Sequence, residues 1–198
     1  GVNTTGANNV AMGHGALDAN TTASYNTAVG HNSMSANTTA ADNTALGYGT
    51  LYTNTTGAGN TAVGRSALYS ATTAANNTAI GYACMDDNTT GATNVAVGYN
   101  ALTANTTGSS NVAIGQNAMA ANTTANNNIA IGSTALDANT TGGGSGANIA
   151  IGVNGLGAVT TGSNNLGIGQ EGGSAITTGA SNVAIGNWSL DATTTGGW

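Results

Sequence analysis

Proline, phenylalanine and lysine are absent from this 198-residue chain, and Arg65 is its only strongly basic side chain. Each absence excludes something. Without a cluster of cations there is no electrostatic footprint for nucleic acid or for an anionic membrane. The single cysteine, Cys84, rules out an internal disulfide and signals no redox compartment. No apolar run approaches the roughly 18–20 residues needed to cross a bilayer as a helix, so membrane insertion is not expected. Only 4% of residues are charged, against about 25% in ordinary soluble domains. Low-complexity disorder usually carries proline and a high net charge. Here the formal net charge is −6, 39% of residues are hydrophobic and these fall in a strict pattern, which predicts order. No signal peptide opens the chain, so a mature form or an excised segment is expected.

What is present is a repeat. Asn-x-Ala-x-Gly, with Gly167 once in place of Ala, is anchored at Asn9, Asn26, Asn43, Asn60, Asn77, Asn94, Asn111, Asn128, Asn148, Asn165 and Asn182. The spacing is 17 throughout, except for 20 between Asn128 and Asn148. The three extra residues fall in Gly142-Gly143-Gly144-Ser145-Gly146, which marks a surface loop. The chain is therefore one repeat domain over 1–198, a partial repeat at 1–8 followed by eleven repeats over 9–198. β-branched residues, Asn and Gly fill every unit, and all are poor helix formers. Seventeen residues cannot bury a face alone, whereas stacked units can. The expected fold is all-β: a parallel β-solenoid, or β-roll, with one repeat per coil. Eleven coils at about 4.8 Å each make a rod about 50 Å long.

Three positions of the unit carry the expected packing. The fourth is always large and aliphatic, from Met12 and Val29 to Ile168 and Ile185, and is expected in the core. The third is Ala in every copy except Gly167, so its face is expected to be closely packed too, within the coil or against another chain. The ninth is Leu or Met except at Gly173, where Ile176 is placed to fill the space. The second position shifts from Thr27, Thr44, Thr61 and Thr78 to apolar residues from Val95 onward.

At Asn111–Gly115 and Asn182–Gly186, both N-V-A-I-G, the chain resembles the head repeats of YadA-type trimeric autotransporter adhesins. The longer unit, as in Asn60–Thr73, is similar to repeats of phage tail-fibre and large bacterial surface proteins. The resemblance spans nearly the whole chain, although this period is longer than that of adhesin heads. It implies left-handed parallel β-rolls that associate as trimers, an extracellular, cell-surface or virion location, and no catalytic residues. The function expected on this basis is structural and non-enzymatic. The chain would be the shaft or head of an extracellular fibre, filament or adhesin, with variable outward stripes for attachment. It would associate as a trimer or as a head-to-tail filament, with no cofactor and with cell-surface glycan as a further candidate partner.

The sixth position is the most variable stripe. It holds His14, His31, Tyr48, Arg65, Tyr82 and Tyr99, then mainly polar residues, while Tyr52 and Tyr69 lie four positions further on in their coils. Stacked at coil spacing, Tyr48, Arg65, Tyr82 and Tyr99 form an aromatic ladder with a cation–π step. Together with Tyr52 and Tyr69 this is the candidate ligand or partner stripe. It supports the alternative of a carbohydrate-binding module. No third ligand repeats beside the two histidines, so they read as surface imidazoles and no metal site is assigned. Seven acids read as solvated turn residues; four of them, Asp18, Asp86, Asp137 and Asp191, share the tenth position but are scattered along it rather than paired. Cys84 stands where Ala67, Ala101 and Ala118 stand in other coils and reads as a small buried group. Trp188 and Trp198 lie in the last repeat, where end capping or a subunit contact is expected.

The Thr pair is present in every repeat. Its candidate outward ladder is Thr22, Thr39, Thr56, Thr73, Thr90, Thr107, Thr124 and Thr141, which supports a second alternative, an ice-binding solenoid. Adjacent threonines on an extended chain point to opposite faces, so only one of each pair joins a regular array. The other faces inward or bonds to nearby backbone. Asn-Thr-Thr is also a glycosylation sequon, occurring eight times from Asn3, with two further sequons at Asn76 and Asn187. The Asn is lost at Ala71, Val159, Ile176 and Thr193 while both threonines stay, so the motif reads first as a corner with an internal Asn ladder.

Overall fold

A computed structural model describes residues 3–140, 146–192 and 195. Eleven three-residue strands follow one another: β1 Val10–Met12, β2 Thr27–Val29, β3 Thr44–Leu46, β4 Thr61–Val63, β5 Thr78–Ile80, β6 Val95–Val97, β7 Val112–Ile114, β8 Ile129–Ile131, β9 Ile149–Ile151, β10 Leu166–Ile168 and β11 Val183–Ile185. They form one parallel sheet in chain order. The fold is a β-solenoid with one 17-residue repeat per coil. Each residue pairs with its equivalent one coil on, as Val95 pairs with Val112 and Ala96 with Ala113. The register holds across the longer unit, where Ile129 pairs with Ile149. The centre of the insertion lies outside the described residues.

The coil is shaped by left-handed backbone at four positions. In the sixth coil these are Gly98 (φ 141°), Asn100 (53°), Leu102 (55°) and Ser110 (60°). The fifth position requires glycine, because a Cβ at Gly81 would run into the Gly98 carbonyl oxygen of the next coil. Asn is frequent at the seventh and seventeenth positions because its short polar side chain tolerates this conformation. At the ninth position Leu or Met adopts it, at a cost of about 1–2 kcal/mol. Complete burial of such a side chain contributes about 1.5–3 kcal/mol, and the Leu102 N–H also donates to the Ala118 carbonyl at 2.9 Å. The position is thus favourable on balance.

The interior overturns one expectation. The third-position alanines point inward, with Ala28, Ala45, Ala62, Ala79, Ala96, Ala113, Ala130 and Ala150 all fully buried. The fourth position points out: Ile114 is 38% exposed and Ile185 65%. A three-residue strand has only its middle side chain on the inner face. That inner face meets the ninth-position Leu or Met, and the narrow coil has room for one large and one small residue. A Cβ at Gly167 would sit 2.7 Å from Cγ of Leu156, which places the third position directly against the ninth. Gly173 lacks the large side chain, and Ile176, fully buried beside it, fills the space.

Two buried asparagine ladders complete the interior. In the anchor ladder, Asn111 Nδ2 donates to Asn94 Oδ1 (3.1 Å) and to the Ala125 carbonyl (2.9 Å). Its Oδ1 accepts from the backbone N–H and the Nδ2 of Asn128 at 3.0 and 3.2 Å. In the corner ladder, Asn105 Nδ2 donates to Asn88 Oδ1 (2.8 Å) and to the Gly108 carbonyl (2.9 Å). Most buried amides of the two ladders are thus paired along the rod axis, which is what makes them tolerable in a dry interior, Asn122 Oδ1 being an exception.

Candidate functional site

Because every coil repeats in register, each outward position becomes a column along the rod. Three columns have distinct chemistry.

The sixth-position column is a continuous stack. His14 and His31 rings lie 5.2 Å apart, His31 and Tyr48 5.3 Å, and Tyr82 and Tyr99 5.4 Å, with planes within 15° of parallel. Arg65 bridges the gap, its Cζ 5.5 Å from the Tyr48 ring and 5.6 Å from that of Tyr82. The stack therefore extends beyond the tyrosines to both histidines, which share the same column. A second pair, Tyr52 and Tyr69, stacks at 4.9 Å. Face-to-face stacking leaves mainly ring edges and hydroxyls toward solvent. Between the two stacks lies an open cleft of about 110 Å³, walled by Tyr48, Tyr52 and Tyr69 and floored by Asn32 and Gly49. Its two floor residues were not singled out from sequence, although they occupy adjacent repeats of the seventh position.

The Thr pair divides its roles. The first threonine is turned along the rod: Thr89 Oγ1 donates to the Thr106 carbonyl at 2.9 Å and Thr106 Oγ1 to that of Thr123 at 3.0 Å. The second is exposed at Thr22, Thr39, Thr56, Thr73, Thr90, Thr107 and Thr124, forming an outward single file. Thr141 and Trp198 lie outside the described residues. Trp188 is 55% exposed in the last coil.

The third column pair is the outer face of the sheet, made by the second and fourth positions. Val95, Val112, Ile129, Ile149, Leu166 and Val183 run beside Val97, Ile114, Ile131, Ile151, Ile168 and Ile185. None of this face is fully buried in the single chain. The fourth-position half of this face is the part that the sequence places in the interior, whereas Thr27, Thr44, Thr61 and Thr78 precede the apolar residues of the second position.

Reactive groups are few. Cys84 is buried, its thiol donates to the Ala96 carbonyl at 3.2 Å, and burial pushes its pKa up to about 12. The Asp86 carboxyl is raised by burial and then by the charge of Asp87. Burial likewise raises Asp137. Among the described residues no three His, Cys, Asp or Glu side chains gather in a group that could hold a metal ion. Among the described residues no helix is long and apolar enough to cross a membrane. No family model, curated protein or solved structure matches the chain.

Proposed function

We propose that this chain is a structural, non-enzymatic segment of an extracellular fibre, filament or adhesin, whose copies pack together through the outer face of the sheet. The observation that carries this reading is the double column of valine and isoleucine. The fourth-position column is apolar along the whole rod, and the second-position column beside it is apolar from Val95 onward, after Thr27, Thr44, Thr61 and Thr78. Over those last coils two columns about 7 Å apart and about 29 Å long present about 300 Å² of apolar surface once side-chain width is counted. Soluble monomers seldom leave contiguous patches larger than a few hundred Å² uncovered. A stable two-body interface needs about 800 Å² per partner. Flanking columns must then be covered as well, as they are when three copies close around one axis. The remaining columns face outward and can vary without disturbing the core, which suits attachment at a cell or virion surface. The deciding measurement is native mass spectrometry with electron microscopy of the purified chain. Trimeric rods or filaments are expected, and a monomer at micromolar concentration would refute the proposal.

A second reading, ice binding, draws on the second threonine of each pair. These residues form an exposed, regularly spaced and uncharged file. Thermal hysteresis from the monomer, removed by Thr90→Lys and Thr107→Lys together, is its test, and zero hysteresis rejects it.

A further inference from the structure

The cleft between the two ring stacks differs from the rest of the rod in charge as well as shape. The chain carries a formal charge of −6, yet its only arginine and both of its histidines stand in the one column that forms a wall of this cleft. Arg65 is exposed and has no carboxylate partner among the described residues; what it has is a tyrosine ring on either side. Its flat faces are used by those rings, which leaves the edge of the guanidinium, with its fixed fork of N–H donors, turned toward solvent. In the tenth-position column the nearest acids flank the tyrosine pair, Asp18 two coils before Tyr52 and Asp86 one coil beyond Tyr69. The cleft itself offers tyrosine hydroxyls and ring edges and the Asn32 amide above a glycine floor. At about 110 Å³ it has room for several waters. It is well below the 300–1,000 Å³ of sites that enclose drug-sized ligands. That volume suits one ring of a polar polymer whose remainder stays in solvent.

We propose that this cleft binds one residue of an acidic saccharide, with the sugar ring over Gly49 between Tyr48 and Tyr52 and its carboxylate on Arg65. The polar walls select a hydroxylated ring, and the preorganised guanidinium selects the carboxylate. This inference requires the sixth-position column to stay outside the contact between copies proposed above.

The test is titration calorimetry of the intact chain with a tetrasaccharide of alternating glucuronate and N-acetylglucosamine, beside the same tetrasaccharide with its carboxyl groups reduced. The acidic form is expected to bind, and both carboxyl reduction and Arg65→Gln should weaken binding by about tenfold or more. Tyr52→Ala removes a wall and should abolish it. Gly49→Asn is the safeguard against a folding defect, because Asn32, Asn100 and Asn117 occupy the same left-handed position in other coils. A side chain there meets the Tyr69 ring at 3.3 Å and fills the floor, so binding should be lost with the fold retained. Gln116→Ala lies in the same column beyond the ring stack and outside the cleft and should leave binding unchanged. Absence of binding, equal binding of both tetrasaccharides, or unimpaired binding by Gly49→Asn would overturn the proposal. Mass measurements on the same samples report association separately.

Discussion

At the scale of single residues, the same amino acid plays opposite parts according to where its column points. Asn20, Asn37, Asn54, Asn88, Asn105 and Asn122 head Asn-Thr-Thr sequons, but they are buried to within 1% and hydrogen-bonded inside the coil. Asn3, Asn76 and Asn187 head sequons on the outside. Secretion from a eukaryotic host is therefore expected to add glycans at Asn3, Asn76 and Asn187 and at none of these six buried sites, as read by peptide mass mapping. Cys84 illustrates the same rule for a thiol. A maleimide should fail to label it in the native protein at neutral pH and label it fully in denaturant. Its pH effect follows from the raised pKa. The unfolded thiol ionises near its ordinary value of 9.0 while the folded one holds its proton to about 12. The folded state thus gains nothing from this group below about pH 9 and loses stability as pH rises from there toward 12. Chemical denaturation at pH 8 and pH 11 should show that loss, and Cys84→Ala should reduce it.

At the scale of the element, one coil is a short strand, three turns and two asparagine braces. The braces are not equivalent. Asn111 supports both the side chain and the backbone N–H of the next coil, whereas Asn105 supports a side chain alone. Each buried polar group left without a partner costs about 1–3 kcal/mol. Asn111→Ala is expected to destabilise the rod more than Asn105→Ala, by about 1 kcal/mol or more in urea denaturation. The native chain anticipates this ranking, because the corner Asn is replaced at Ala71, Val159 and Ile176 while the anchor is kept in all eleven coils. The corner ladder was legible in sequence from that very pattern of loss. The inward turn of the third position was not, because alternation along three residues says only that the second and fourth differ from the third. Which of the two faces is the inside depends on what stands opposite.

At the scale of the whole molecule, registered stacking converts sequence columns into continuous surfaces. The aliphatic face is the largest of these, and charge placed on it should act on association rather than on folding. Ile114→Lys with Ile131→Lys is expected to yield monomers by sedimentation while the far-ultraviolet spectrum is retained. Unchanged association would show that copies meet elsewhere. The ring stack was legible in sequence because Tyr48, Arg65, Tyr82 and Tyr99 recur at 17-residue intervals. The cleft was not, since it needs the sixth and tenth positions to rise on either side of a seventh-position glycine.

The sequence by itself determined the period, the number of coils, the parallel register and the axial neighbours of every residue. In a solenoid a fixed repeat places like residues one coil apart, and no other information is needed for that. Only the tertiary structure decided direction: that Ala113 is interior and Ile114 exterior, and that Thr107 faces solvent while Thr106 bonds along the rod. The physical reason is that hydrophobicity ranks residues by size and apolarity. A coil of 17 residues has an inner space set by its backbone path, and at the strand that space admits a methyl group facing a leucine, leaving the larger aliphatic side chains outside.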